Sequence, residues 1–134
     1  MPDINPIAVL AAAAAAFVTG ALWNSALLFG NANMRLRGLD PAAASQAMPV
    51  RQMAAEFVRC IVMATVLAVL IAWVAPAALT GALCLAIVLW IGFPAAYLTG
   101  AVIWEGLDWR LYAIHVGDAL VKMILMAMII AWLG

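Results

Sequence analysis

Charge is scarce in this sequence. Six Lys and Arg and six Asp and Glu are spread over 134 residues, 9% of the chain, against about a quarter in an ordinary soluble domain. The two signs balance, so no basic excess points to nucleic acid and no acidic tail is present. Histidine occurs once and cysteine twice, which leaves no metal-ligand spacing and no thiol redox motif. The glycines form no phosphate-cradling loop, and there is no paired-His motif and no nucleophile elbow. These absences argue against an enzyme and imply no cofactor. Cys60 and Cys84 fall in apolar runs assigned below to opposite membrane faces. A disulfide needs alpha carbons within about 7 Å, so both are read as small apolar residues.

Lys and Arg are also missing from three regions: the stretch before Pro6, the turn around Pro76 and the C-terminus. A secretory signal peptide has a basic leading region, whereas only Asp3 precedes the first apolar run. That run is therefore expected to be a retained helix.

What the chain has in excess is apolar surface, at 70% hydrophobic residues. A soluble domain of this size cannot bury that much, so lipid must be the solvent for most side chains. A span takes about 20 mostly apolar residues, and four stretches qualify: about 6–29, 52–74, 77–103 and 110–133. The fold class expected is an all-α membrane protein, a single four-transmembrane-helix bundle. Pro6 suits a first helical turn and Pro76 punctuates a tight turn. Pro94 should kink the third span and release a carbonyl near Trp90. The unbroken run Ala11 to Ala16, with Gly92, Gly100 and Gly117, offers close helix approach. The eight methionines are read as gap-filling residues of the spans.

Orientation follows from the basic residues of the short loops. Arg35, Arg37 and Arg51 lie between spans one and two, with Arg59 just inside span two, and Arg110 lies between spans three and four. That side is expected to be cytoplasmic, with both termini outside, in a multi-pass protein of the bacterial inner membrane. Trp104, Trp109 and Tyr112 then mark the inner interface, and Trp73 and Trp132 the outer one. Gly-Leu-Asp occurs at Gly38 to Asp40 and again at Gly106 to Asp108, a short match that hints at a parallel repeat.

Ionisable groups inside lipid are costly and often mark function. Span four carries His115, Asp118 and Lys122 at spacings of three and four, on one stripe. Lys122 lies near mid-membrane, too deep to snorkel readily. Asp118 and Lys122 have the favourable order for an ion pair. They either pair and pin the packing or serve as a proton relay or ion site with His115 as the titrating group. On span two, Glu56 and Arg59 share a face and pair with each other, or with His115 and Asp118 at similar depth. Trp23, Asn24 and Ser25 are candidates for hydrogen bonds between helices, as are Tyr97 and Thr99. The polar groups gather in the inner half, which predicts a polar pocket opening inward below a dry outer half.

The segment Gly20-Ala-Leu-Trp23-Asn24-Ser25-Ala26-Leu-Leu-Phe29-Gly30, then Met34 and Arg35, resembles a bacterial family of small membrane proteins, domain of unknown function 1761. So do Leu89-Trp90-Ile91-Gly92-Phe93 and Trp104-Glu105-Gly106 leading to a last helix that ends in Trp132. Ala26 stands where that family often has Pro, and Asn33 where it often has Trp. The resemblance covers nearly the whole chain and implies a four-helix membrane protein of no established activity.

Two readings of function remain open. One is a homo-oligomeric transporter or channel for a small solute or protons, using the stripe on the fourth helix. The other is a scaffold or accessory subunit whose buried polar residues, Glu56, Arg59, His115, Asp118, Lys122, Asn24 and Ser25, only specify packing.

Overall fold

The computed structural model describes residues 3–25, 28–40 and 50–134. Helices α1 (Pro6–Trp23), α2 (Gly30–Leu36), α3 (Val50–Val74), α4 (Leu79–Trp90), α5 (Ala96–Glu105) and α6 (Trp109–Leu133) follow in order. A π-helical segment, Ile91–Ala95, joins α4 to α5 into one continuous span. No strand occurs among the described residues. Four helices are long and apolar enough to cross a membrane: Pro6–Trp23, Val50–Val74, Leu79–Glu105 and Trp109–Leu133.

The chain is inside-out in size rather than in polarity. Its core is built of small residues: Ala8, Ala12, Ala13 and Ala16 of α1, Ala64 and Ala68 of α3, Ala82 and Ala86 of α4, and Ala127 of α6. Large apolar side chains such as Val58, Val62, Val66, Ile91 and Phe93 face outward. In lipid there is no hydrophobic drive between helices, so close backbone approach over small residues has to supply the contact. Ala8, Ala12, Ala16 and Gly20 recur at intervals of four, which puts them on one helical stripe. With that stripe α1 packs against α6 and α3. Helix α6 is the central element, with α1 and α3 on one side and α4 and α5 on the other.

Each helix end has a local cause. Asn5 caps α1, its Oδ1 accepting from the Ile7 N–H at 3.0 Å. Its Nδ2 donates to the Leu133 carbonyl at 3.1 Å, which ties the two ends of the chain together at one end of the bundle. Pro94 cannot donate an α-helical hydrogen bond, and the helix responds with the π turn around it. The predicted kink site is therefore a π-bulge. Gly106 ends α5 in the left-handed region, φ 70°, and Gly38 adopts φ 76° just after α2. The two Gly-Leu-Asp copies thus each place a glycine in the left-handed region after a helix, where a side chain would be strained. In the second copy Asp108 caps α6 and holds Arg110 through two further bonds. Those bonds bring the Asp108 carboxyl down to about 2.

The first span is shorter than its hydropathy suggests. A helix to residue 29 was expected, but α1 stops at Trp23. There Asn24 Nδ2 and Ser25 Oγ turn back to the carbonyls of Gly20 and Leu22, competing with the helical backbone. Phe29 N–H then donates to the Trp23 carbonyl and Gly30 N–H to that of Ser25, both at 2.9 Å. This folds the chain back into the short helix α2 beside α6. Positions 26–27 of the expected span lie outside the described residues, as does the expected loop stretch 41–49.

Candidate functional site

Lys122 is the one charged residue buried among the described residues, with 3% of its side chain exposed. It stands 13 residues into α6, about 20 Å from the helix start. Side chains on a helix lean toward its N-terminus, so the ammonium reaches toward the arginine-bearing end. There it meets Asp118 Oδ2 at 3.0 Å and Glu56 Oε1 at 3.2 Å. Glu56 is six residues into α3, about 9 Å from its start. The same Glu56 oxygen accepts from Arg59 Nη2 at 2.7 Å and faces Cys60 Sγ at 3.8 Å. The result is a charge-balanced cluster of two cations and two carboxylates that binds α3 to α6. Charges taken from water are tolerated when paired and hydrogen-bonded in this way.

The third wall of the cluster is α1. A Cβ placed on Gly20 would lie 2.8 Å from Lys122 Nζ and 2.9 Å from its Cε. Only glycine leaves the ammonium its position. One acceptor stays open: Asp118 Oδ1 is buried and has no hydrogen-bond partner among the described residues. Exposure rises along the cluster from Lys122 at 3% through Asp118 at 16% and Glu56 at 27% to Arg59 at 61%. The charged file thus runs from the bundle core to its surface at the arginine-bearing end.

Of the residues singled out from sequence, Glu56, Arg59, Asp118 and Lys122 come together. His115 does not. It is exposed, because sharing an angular stripe on α6 does not give it a neighbour on another helix. Asn24 and Ser25 also stand apart from the cluster: Asn24 Nδ2 donates to the Gly20 carbonyl and Ser25 Oγ to that of Leu22. Tyr97 points outward, and Thr99 Oγ1 bonds back to the Ala96 carbonyl of its own helix. The Lys122 side chain packs over Gly20. Cavities of about 400, 430 and 490 Å³ are lined by residues outside the cluster, the last of them at the arginine-bearing end beside Arg35 and Arg110.

Two residues of the site's framework, Gly20 and Trp90, went unread, whereas Trp23 was a candidate for a hydrogen bond between helices. Gly20 continues the four-residue rhythm of Ala8, Ala12 and Ala16, and that rhythm was the available signal. Trp23 Nε1 donates to the Ile114 carbonyl at 2.9 Å and Trp90 Nε1 to the Val116 carbonyl at 2.7 Å. These indole bonds hold α6 from both sides, four and two residues before Asp118. The Trp23 ring lies over Gly117, where an added Cβ would sit 2.9 Å from Cζ2. A tryptophan deep in an apolar helix needs a partner for its N–H. The sequence carries that signal for Trp23 and Trp90 but does not name the acceptor. No group of three or more His, Cys, Asp or Glu with metal-binding geometry occurs among the described residues.

Four crossing helices around a buried, balanced charge cluster define a multi-pass helical membrane protein. Within that class, the chain belongs to the family described as "Protein of unknown function (DUF1761)", whose model matches residues 7–131. No curated protein and no solved structure matches the chain.

Proposed function

We propose that this protein is a small inner-membrane carrier for protons or a small solute, rather than an enzyme, with the Glu56–Lys122–Asp118 cluster as its charge-handling element. The observation that carries this reading is the ammonium of Lys122 held between two carboxylates in mid-helix, at the closed end of a file that reaches the surface through Glu56 and Arg59. Ionisable groups at such depth in a membrane protein are characteristic of solute and proton pathways. Asp118 Oδ1, an open acceptor in the core, is where a proton or a polar solute atom would be received. Beyond Lys122 the core is apolar, with Met126, Ala127 and Ile130 on α6 and Leu67 and Ile71 on α3. Four short helices enclose too little volume for a complete path, so the working unit is taken to be a homo-oligomer, with both chain ends on the outer side of the membrane.

The test is flux into liposomes containing the purified protein, with a pH-sensitive dye inside and a panel of small solutes outside. Lys122→Met and Asp118→Asn are expected to slow the transported species about a hundredfold, the lower end of what a positioned proton-transfer group supplies. Gly20→Ala, which keeps every charge but displaces the ammonium, should slow it as well. Folded variants that match wild type across the whole panel would sink the proposal.

A second reading has its own support. The cluster ties α3 to α6 under α1 and is closed beyond Lys122 by apolar core residues, as a packing device would be. A stoichiometric protein partner recovered from native membranes favours that accessory-subunit reading, and a lone homo-oligomer favours the carrier.

A further inference from the structure

Helix α2 lies beside the start of α6 and leaves a cleft of about 490 Å³ between them. Phe29, which precedes α2, with Ala32 and Leu36 of α2, supplies one apolar wall, at spacings of three and four, and Ala113 and Ile114 supply the other from α6. Two guanidinium groups, Arg35 and Arg110, and the Trp109 ring complete the lining. The cleft thus combines an apolar floor with cationic walls.

The two arginines are not equivalent. Arg110 is held by Asp108, with Nε to Oδ1 at 3.1 Å and Nη2 to Oδ2 at 2.9 Å. The Asp108 carboxyl, brought down to about 2 by those bonds, stays ionised and neutralises it. Arg35 is exposed and has no acidic partner among the described residues. The cleft therefore carries one uncompensated positive charge, on Arg35. Trp109 opens α6 and is exposed, as tryptophans at the headgroup level of a bilayer are. A tryptophan at that level would put the mouth of the cleft beside the phosphates, with its apolar floor, Ala113 and Ile114, running down α6 toward the hydrocarbon.

We infer that the cleft between α2 and α6 binds a phospholipid with an anionic headgroup. The phosphate meets Arg35 beside Trp109, and the upper part of an acyl chain lies on Ala113 and Ile114. Basic pockets between transmembrane helices bind anionic headgroups by this combination of charge and apolar contact. The assignment is independent of the carrier reading, since it shares no residue with the Glu56–Lys122–Asp118 cluster.

Brominated lipids test it, because bromine on an acyl chain quenches a tryptophan it touches. The intact protein is placed in phosphatidylcholine vesicles containing either brominated phosphatidylglycerol or brominated phosphatidylcholine. The Trp109 contribution is the difference between wild type and Trp109→Phe. The expected result is an association about fivefold stronger for the anionic lipid, the effect of one arginine near a membrane surface. Arg35→Gln should abolish the preference. Arg35→Lys should keep it, and so should Arg37→Gln, which changes a charge on the same stretch but outside the cleft. Equal association of the two lipids with wild type overturns the inference. So does loss of the preference in Arg37→Gln, which would reduce it to a general attraction of the basic end.

Discussion

Lys122→Met is expected to destabilise the bundle by about 3–5 kcal/mol, the cost of leaving a buried charge without its partner. Methionine matches lysine closely in length and helix propensity, so little of that loss comes from packing or backbone. What changes is the charge balance. Glu56 keeps Arg59 at 2.7 Å, but Asp118, whose Oδ1 is already unpartnered among the described residues, loses its only ion pair among them. The cost therefore falls mainly on Asp118. Adding Asp118→Asn to Lys122→Met should then return most of the stability, because the second change removes the stranded charge. This is strong coupling between residues in contact. Unfolding by SDS titration in mixed micelles measures all three proteins. A single variant within about 1 kcal/mol of wild type, or a double variant that simply adds the two losses, would show that the cluster is not the buried pair described.

That cluster was half legible in the sequence. The four spans followed from hydropathy and length, since lipid imposes both. The Asp118–Lys122 pair followed from helical geometry alone. Glu56 could be assigned to the right end of α3 but not to Lys122, because partners on different helices depend on how the helices rotate against each other. Rotation is set by the seam of small residues, and on α1 that seam runs through Ala8, Ala12, Ala16 and Gly20. Alanine is so abundant there, six in a row from Ala11 to Ala16, that composition conceals the spacing. His115 shows the opposite failure. It shares the angular stripe of Asp118 and Lys122, yet exposure depends on what stands opposite, and angle carries no information about that. Membership of the family adds no chemistry to this, since the family itself is described by its unknown function.

The end of α1 was misread for a reason that makes its own prediction. Hydropathy continues through residue 29, but the backbone turns back at Asn24, and Gly30 is the residue that lets it. A Cβ on Gly30 would collide with the Asn24 carbonyl oxygen and lie 2.7 Å from the Ser25 carbonyl carbon and oxygen. These are backbone atoms, which cannot swing aside as a side-chain tip does. Gly30→Ala must therefore open the turn, at the expense of the Phe29-to-Trp23 and Gly30-to-Ser25 hydrogen bonds. With about 1 kcal/mol for each bond and the overpacking added, the expected loss is about 3 kcal/mol. The damage should also spread to Trp23, whose ring packs on Phe29 with centroids 4.6 Å apart and whose Nε1 holds the Ile114 carbonyl. A changed near-ultraviolet dichroism should accompany the lower stability. Gly100→Ala is the control, since nothing lies within 4 Å of the new methyl and alanine is the better helix former by about 1 kcal/mol. The same chemical change should thus destabilise at the turn and be neutral or stabilising in α5. If Gly30→Ala unfolds no more easily than Gly100→Ala, the fold-back between α1 and α2 is not the structure of this chain in the membrane.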